Sequence, residues 1–178
     1  MSAGKGKNAE ILAAMKLAME TEKRGLKNYL SFALKTKDVT GKNMFILLSR
    51  DELDHFEILE RALSKLEISG SWEEIEIRES LVEQVMPKLR ERDVKVKGER
   101  GVDQVDAIRA AMEQERRSAE LYREQYAKAT DPAARKTFQK LMEMENAHYD
   151  ILQAELDNIT DTGFWFQIPE FDLEEEKS

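Results

Sequence analysis

Residues 45–59 read Phe45-Ile46-Leu47-Leu48-Ser49-Arg50-Asp51-Glu52-Leu53-Asp54-His55-Phe56-Glu57-Ile58-Leu59, and residues 138–152 read Phe138-Gln139-Lys140-Leu141-Met142-Glu143-Met144-Glu145-Asn146-Ala147-His148-Tyr149-Asp150-Ile151-Leu152. Laid over one another, the two stretches share Phe, Leu, Glu, His, Ile and Leu at the same places. The apolar residues return every three or four positions, the period of a helix with one buried face. On that face each stretch carries a glutamate and, three residues later, a histidine. Positions i and i+3 lie one above the other on a helix, so a carboxylate and an imidazole can reach one point. The chain has no other histidine.

The likeness extends well beyond these stretches. Without gaps, residues 8–66 align with 101–159 at 16 identities in 59 positions, several times what unrelated sequences give. The matches include Met19/Met112, Glu20/Glu113, Glu22/Glu115, Arg24/Arg117, Tyr29/Tyr122, Leu59/Leu152 and Leu63/Leu156. Two further stripes lie upstream of the quoted ones: Leu12, Met15, Met19, Glu22, Leu26, Tyr29, Ala33, and Val105, Ile108, Met112, Glu115, Ala119, Tyr122, Tyr126. Breaks fall at Val39-Thr40-Gly41 and at Thr130-Asp131-Pro132, where Asp131 can cap a helix whose first residue is Pro132. The expected fold is therefore all-α: an antiparallel four-helix bundle made of two duplicated helical hairpins, 8–66 and 101–159, joined by a long crossover over 67–100. The crossover holds Gly70, Ser71, Pro87, Gly98 and Gly101 around a modest helical patch near 79–92. One domain is expected over 1–160. The tail, 161–178, includes the aromatic run Gly163-Phe164-Trp165-Phe166-Gln167-Ile168-Pro169-Glu170-Phe171, read as sealing the bundle or a partner in a homodimer.

Composition agrees. Of 178 residues 36% are charged, 41% hydrophobic and 7% aromatic, with eight Gly, three Pro and no Cys, a helical rather than a sheet or disordered profile. The missing cysteines exclude disulfides, thiolate zinc sites, cysteine-held iron–sulfur clusters and thiol nucleophiles within the chain. A net charge of −8 argues against binding nucleic acid or an anionic membrane. No run of residues is long and apolar enough for a membrane span, and Met1 to Asn8 lacks the apolar core of a signal peptide; a cytoplasmic protein is the expectation.

Glu22 and Glu115 stand thirty residues before Glu52 and Glu145. With turns near residues 37 and 130, each glutamate lies fifteen residues from its turn, roughly 22 Å along the helix at 1.5 Å per residue. A two-fold axis then brings four carboxylates and two imidazoles to one level of the interior. So many buried anions are untenable unless they shed charge or meet cations. Two divalent ions supply +4 against −4, and oxygen and imidazole donors without sulfur suit iron or manganese. Glu22, Glu52, His55, Glu115, Glu145 and His148 are the candidate metal ligands. Tyr29 and Tyr122, seven residues after the first-arm glutamates, share their faces, either as core aromatics or as hydrogen-bonding or redox-active phenols beside the metals. Asp51 is read as solvated rather than reaching His148, because its counterpart in the repeat is Met144. Glu20 and Glu113 point about 200° away from the ligand face and are expected in solvent.

The stretches Met19 to Glu22 and on to Tyr29, Glu52 to His55, Met112 to Glu115 and on to Tyr122, and Glu145 to His148 resemble the four ligand helices of the rubrerythrin-like di-iron proteins in the ferritin-like superfamily. The resemblance covers about residues 8–159. It implies a ferritin-like bundle with a non-haem di-iron centre that reacts with hydrogen peroxide or dioxygen, cycling between diferrous and diferric states. Rubrerythrins reduce peroxide with electrons delivered through a rubredoxin-like domain bearing four cysteines. That domain has no counterpart here, so an external donor such as a rubredoxin-like protein is implied. Rubrerythrins also carry a further carboxylate three residues after the third-helix ligand, where this chain has Ser118, and Gly25 in the first repeat. The six-ligand set is thus equally similar to the ferroxidase centre of bacterioferritin, although the tail does not read as the fifth helix of a ferritin shell. A di-iron peroxidase is the reading adopted, a ferroxidase that oxidises Fe(II) the alternative, and a non-catalytic metal-binding bundle the third.

Overall fold

A computed structural model describes residues 3–82 and 102–162. Among them are four long helices: α1 over Ala3–Lys35, α2 over Val39–Ser69, α3 over Val102–Lys128 and α4 over Pro132–Thr162. The bundle is antiparallel and all-α, with α1 packed on α2, α3 on α4, and α1 on α3. None of these helices is long and apolar enough to cross a membrane.

The first turn lies earlier than the expected break: Val39, Thr40 and Gly41 open α2, and residues 36–38 separate it from α1. Asp38 caps α2, its carboxylate accepting the Thr40 N–H at 2.8 Å and the Gly41 N–H at 3.1 Å. Asp131 does the same for α4, accepting from Ala133 at 2.8 Å and Ala134 at 3.2 Å, with Pro132 at a position whose missing N–H is no loss. At the far end of α2, Gly70 adopts a left-handed conformation (φ 72°) and donates its N–H to the Leu66 carbonyl. A residue with a Cβ would be strained there.

The chain then turns back on the bundle. Trp72 and Ile75 are buried, and the Trp72 ring packs 5.5 Å from Phe138. Lys136 meets Glu74, and Lys65 meets Glu73 at 3.3 Å. The first part of the expected crossover thus lies as an irregular strap along the bundle, and α2 runs to Ser69, three residues into the span expected for the crossover. Of the helical patch near 79–92, the structure describes only 79–82, with helix at Leu81 and Val82. The aromatic tail 163–171 lies outside the described residues. In sequence, however, the shift of 93 residues that relates the hairpins also relates Gly70, Trp72 and Ile75 to Gly163, Trp165 and Ile168.

The stripe positions form two apolar clusters. One gathers Tyr29, Phe45, Leu48, Ile108, Ile151 and Leu152, the other Met15, Leu59, Leu66, Tyr122, Phe138 and Leu141. Each uses one end of every helix, and the polar positions of the stripes fall between them. The turns lie at opposite ends, since Ala129 to Asp131 line a cavity of about 540 Å³ together with Ile11 and Ala14 near the start of α1. Asp38→Ala and Asp131→Ala should each lower the unfolding free energy by about 1 kcal/mol. Being far apart, the two losses should add in the double variant, as urea unfolding would measure.

Candidate metal centre

Between the apolar clusters, α1 contributes Glu22, α2 contributes Glu52 and His55, α3 contributes Glu115, and α4 contributes Glu145 and His148. All six are buried, Glu52 at 2% exposure and the others at 0%. Donor atoms of Glu22, Glu52, His55 and Glu145 lie within 4.8 Å of one another, as do those of Glu52, Glu115, Glu145 and His148. Glu52 and Glu145 belong to both sets. The histidine rings face each other, 5.2 Å apart and 16° from parallel, each turning Nδ1 toward the glutamates.

Whether metal ions suit this cluster can be judged from its pairing. His55 Nδ1 lies 2.9 Å from Glu145 Oε1 and 3.4 Å from Glu22 Oε2; His148 Nδ1 lies 3.5 Å from Glu115 Oε2 and 3.6 Å from Glu52 Oε1. Despite these approaches, both Nδ1 atoms, Glu22 Oε2, Glu52 Oε1, Glu115 Oε2 and both Glu145 oxygens make no well-aligned hydrogen bond among the described residues. Buried polar atoms are seldom left this way. Donors that converge at close range without pairing with each other are arranged for a third party. An all-oxygen and imidazole set shared by two overlapping groups fits two divalent ions such as iron or manganese.

Electrostatics without metal point the same way. Burial, and then repulsion from Glu22 and Glu115, pushes Glu145 well above the usual glutamate range; Glu52 is raised by burial and by Glu22, Glu115 and Glu145. Burial lowers the histidines, but Glu22 outweighs it at His55, and Asp51, Glu115 and Glu52 outweigh it at His148, leaving both raised. Burial also pushes Glu115 upward, yet His148, Glu145 and Tyr29 hold it below its ordinary value. The metal-free cluster thus neutralises itself by taking up protons.

The two tyrosines cross between hairpins. Tyr29, on the same helix as Glu22, donates its hydroxyl to Glu115, while Tyr122, on the helix of Glu115, donates to Glu22. Both are fully buried, and burial together with the neighbouring carboxylates raises both phenols well above 10.0, so they remain donors. Each ring is part of the core, and each hydroxyl meets a carboxylate of the other hairpin.

Asp51 overturns the expectation of a solvated carboxylate. It is fully buried, 3.2 Å from His148 Nε2, and accepts the backbone N–H groups of Leu81 at 2.7 Å and Val82 at 3.0 Å. Burial raises it, but His148 and these amides hold it lower than an ordinary aspartate. Its partner Met144 gave no sequence signal because the interaction exists on one side only. Glu20 is exposed as expected, and Glu113 is held by Arg116 and Arg117 down to about 2 at the surface. Gly25 and Ser118, one turn after the first-arm glutamates, are both buried. A methyl group at Gly25 would collide with Glu52 Oε2 and lie 2.8 Å from Glu52 Cδ and 2.9 Å from Gln114 Nε2, so the Glu52 carboxylate and the Gln114 amide would have to move. Gln114 in turn accepts from Asn28 at 2.7 Å, tying α1 to α3 beside the cluster.

A protein-family model described as Rubrerythrin matches residues 13–156, a span that includes all six residues and both tyrosines. No curated protein matches the chain. Among solved structures, a two-domain protein from Anabaena variabilis, containing DJ-1/ThiJ/PfpI-like and ferritin-like domains, is similar with a TM-score of 0.61 and 19% identity. The alignment covers 93% of this chain and 40% of that one. At that identity the likeness shows the fold, a ferritin-like four-helix bundle.

Gly25→Ala should displace the Glu52 carboxylate and weaken metal binding by on the order of tenfold, read by cobalt titration, with helical circular dichroism retained. A second expectation concerns pH. Glu52, Glu145, His55 and His148 all bind protons more tightly folded than unfolded, so the metal-free protein should lose stability as pH rises above the ordinary glutamate value of 4.5 and on through neutrality. Asp51 and Glu115 act oppositely, but only in more acid solution. Thermal melts between pH 5 and 8 test the sign; a rising melting temperature would contradict it.

Proposed function

The chain belongs to the rubrerythrin family, and from that premise we propose that its buried cluster holds two iron ions and that the protein is a non-haem di-iron oxidoreductase reducing hydrogen peroxide with electrons from an external donor. The observation that carries this reading is the pair of overlapping donor sets sharing Glu52 and Glu145. Glu22 and His55 would hold one ion, Glu115 and His148 the other, with Glu52 and Glu145 between them. A bound pair of redox-active ions supplies Lewis acidity and two electrons for a two-electron oxidant; manganese accepts the same donors.

The protein's own part is positional. Tyr29 and Tyr122 hold Glu115 and Glu22 by hydrogen bonds from the opposite hairpin, fixing which oxygens remain free. The apolar clusters above and below keep bulk water from the site, which strengthens its electrostatics and limits side reactions. The 178 residues contain no cysteine and so no cysteine-bound iron of their own; the proposed donor, such as a rubredoxin-like protein, lies outside them. A homodimer in the cytoplasm, without nucleic acid or membrane partners, completes the proposal.

One observation favours a second reading. Three residues after Glu115 stands the buried Ser118, and three after Glu22 stands Gly25, so neither position supplies a seventh carboxylate. A six-ligand centre of this kind suits a ferroxidase that oxidises Fe(II).

Anaerobic protein carrying two Fe(II) per chain, mixed with peroxide or with dioxygen, separates the two. Faster oxidation by peroxide, and repeated turnover when a reduced rubredoxin-like protein is supplied, are expected. Continued iron uptake beyond two per chain, with dioxygen as effective as peroxide, would establish the ferroxidase instead. Tyr29→Phe and Tyr122→Phe should each weaken metal binding by about tenfold without unfolding the chain, as equilibrium titration would measure.

A further inference from the structure

The duplicated centre is not symmetric in what lies behind its histidines. His148 Nε2 has the Asp51 carboxylate at 3.2 Å, and that carboxylate is itself fixed by the Leu81 and Val82 amides at the start of a helix. An ionised carboxylate only accepts, so Nε2 donates to Asp51, and a neutral His148 ring would keep its Nδ1 lone pair, on the side of Glu52 and Glu115, for a metal ion. The equivalent atom of His55, Nε2, is buried and has no hydrogen-bond partner among the described residues. Met144 occupies the position in the repeat that Asp51 occupies on the other side, and is itself buried. A thioether is at best a weak acceptor and carries no charge.

We propose that Asp51 is a positioning residue that makes the two metal positions unequal, the one beside His148 binding an ion more tightly than the one beside His55. This rests on the dinuclear reading above. A carboxylate behind a ligating imidazole fixes its tautomer, holds the ring in place and raises its basicity, with typical effects of 10–100-fold on metal affinity. On the His148 side all three effects operate, and the anchoring amides keep Asp51 from following the ring if it turns. On the His55 side no described residue fixes the ring from behind, and metal at Nδ1 would leave the opposite N–H buried without an acceptor among the described residues. The same carboxylate ties the strap that follows α2 to the centre, so the tighter position is also linked to the order of residues 81 and 82.

The test uses the full chain and cobalt(II), whose absorption reports its coordination. Wild-type protein should bind two equivalents in separated steps. At one equivalent, anomalous diffraction should place most of the cobalt beside His148. Asp51→Asn, which keeps the shape and an acceptor oxygen but not the charge, should weaken the tighter step by 10–100-fold and leave the weaker step and its spectrum unchanged. A purely structural loss would weaken both steps together and would overturn the inference. The wild-type diffraction result does not depend on how the variant folds: equal cobalt at both positions at one equivalent also overturns it, while the dinuclear reading stands. If the wild-type chain binds no cobalt, both fall.

Discussion

Four carboxylates and two imidazoles at 0–2% exposure are the constraint to which the other features of this bundle respond. Ionised groups withdrawn from water are strongly unfavourable unless charge is cancelled locally. Without metal the cancellation comes from protons on groups whose affinity for them is raised. With metal it would come from the ions. The protein therefore has two ways of making the same interior neutral, and metal uptake and proton release become one equilibrium. The apolar clusters on either side are what make this sharp, since they remove the water that would otherwise screen the charges.

Duplication is the economical way to build such an interior. A hairpin that carries one glutamate on its first arm and Glu-x-x-His on its second provides half of the donors, and a two-fold partner provides the rest at the same height. The hydroxyls of Tyr29 and Tyr122 lock the halves together, because each bonds to a glutamate of the other hairpin. Gly25 shows how tight the fit is on one side: a side chain there, in the first turn after Glu22, would have to displace the Glu52 carboxylate. Asp51, by contrast, marks where the halves have diverged, since one histidine has a carboxylate behind it and the other has a thioether on the equivalent helix position.

Much of this is visible in the order of residues. The stripes on all four helices, the cap at Asp131, and the grouping of Glu22, Glu52, His55, Glu115, Glu145 and His148 follow from period, spacing and repetition, because helix geometry converts spacing directly into height and facing. What could not be read lies where geometry is not periodic. Asp51 accepts from Leu81 and Val82, thirty residues away across an irregular strap, and its repeat partner offers no parallel. The exchange of tyrosine hydroxyls between hairpins depends on how the helices pair, which the stripes leave open. The strap itself carried a signal that was missed: Gly70, Trp72 and Ile75 recur at the 93-residue shift as Gly163, Trp165 and Ile168, so the duplicated unit is longer than the two helices.

That this cluster is a two-metal site is tested most directly by a crystal structure of the iron-loaded chain with anomalous diffraction at the iron edge. Two peaks are predicted per chain, one beside Glu22 and His55 and one beside Glu115 and His148, with Glu52 and Glu145 contacting both. A single peak, or iron bound only at surface carboxylates and none at the six buried side chains, would contradict it.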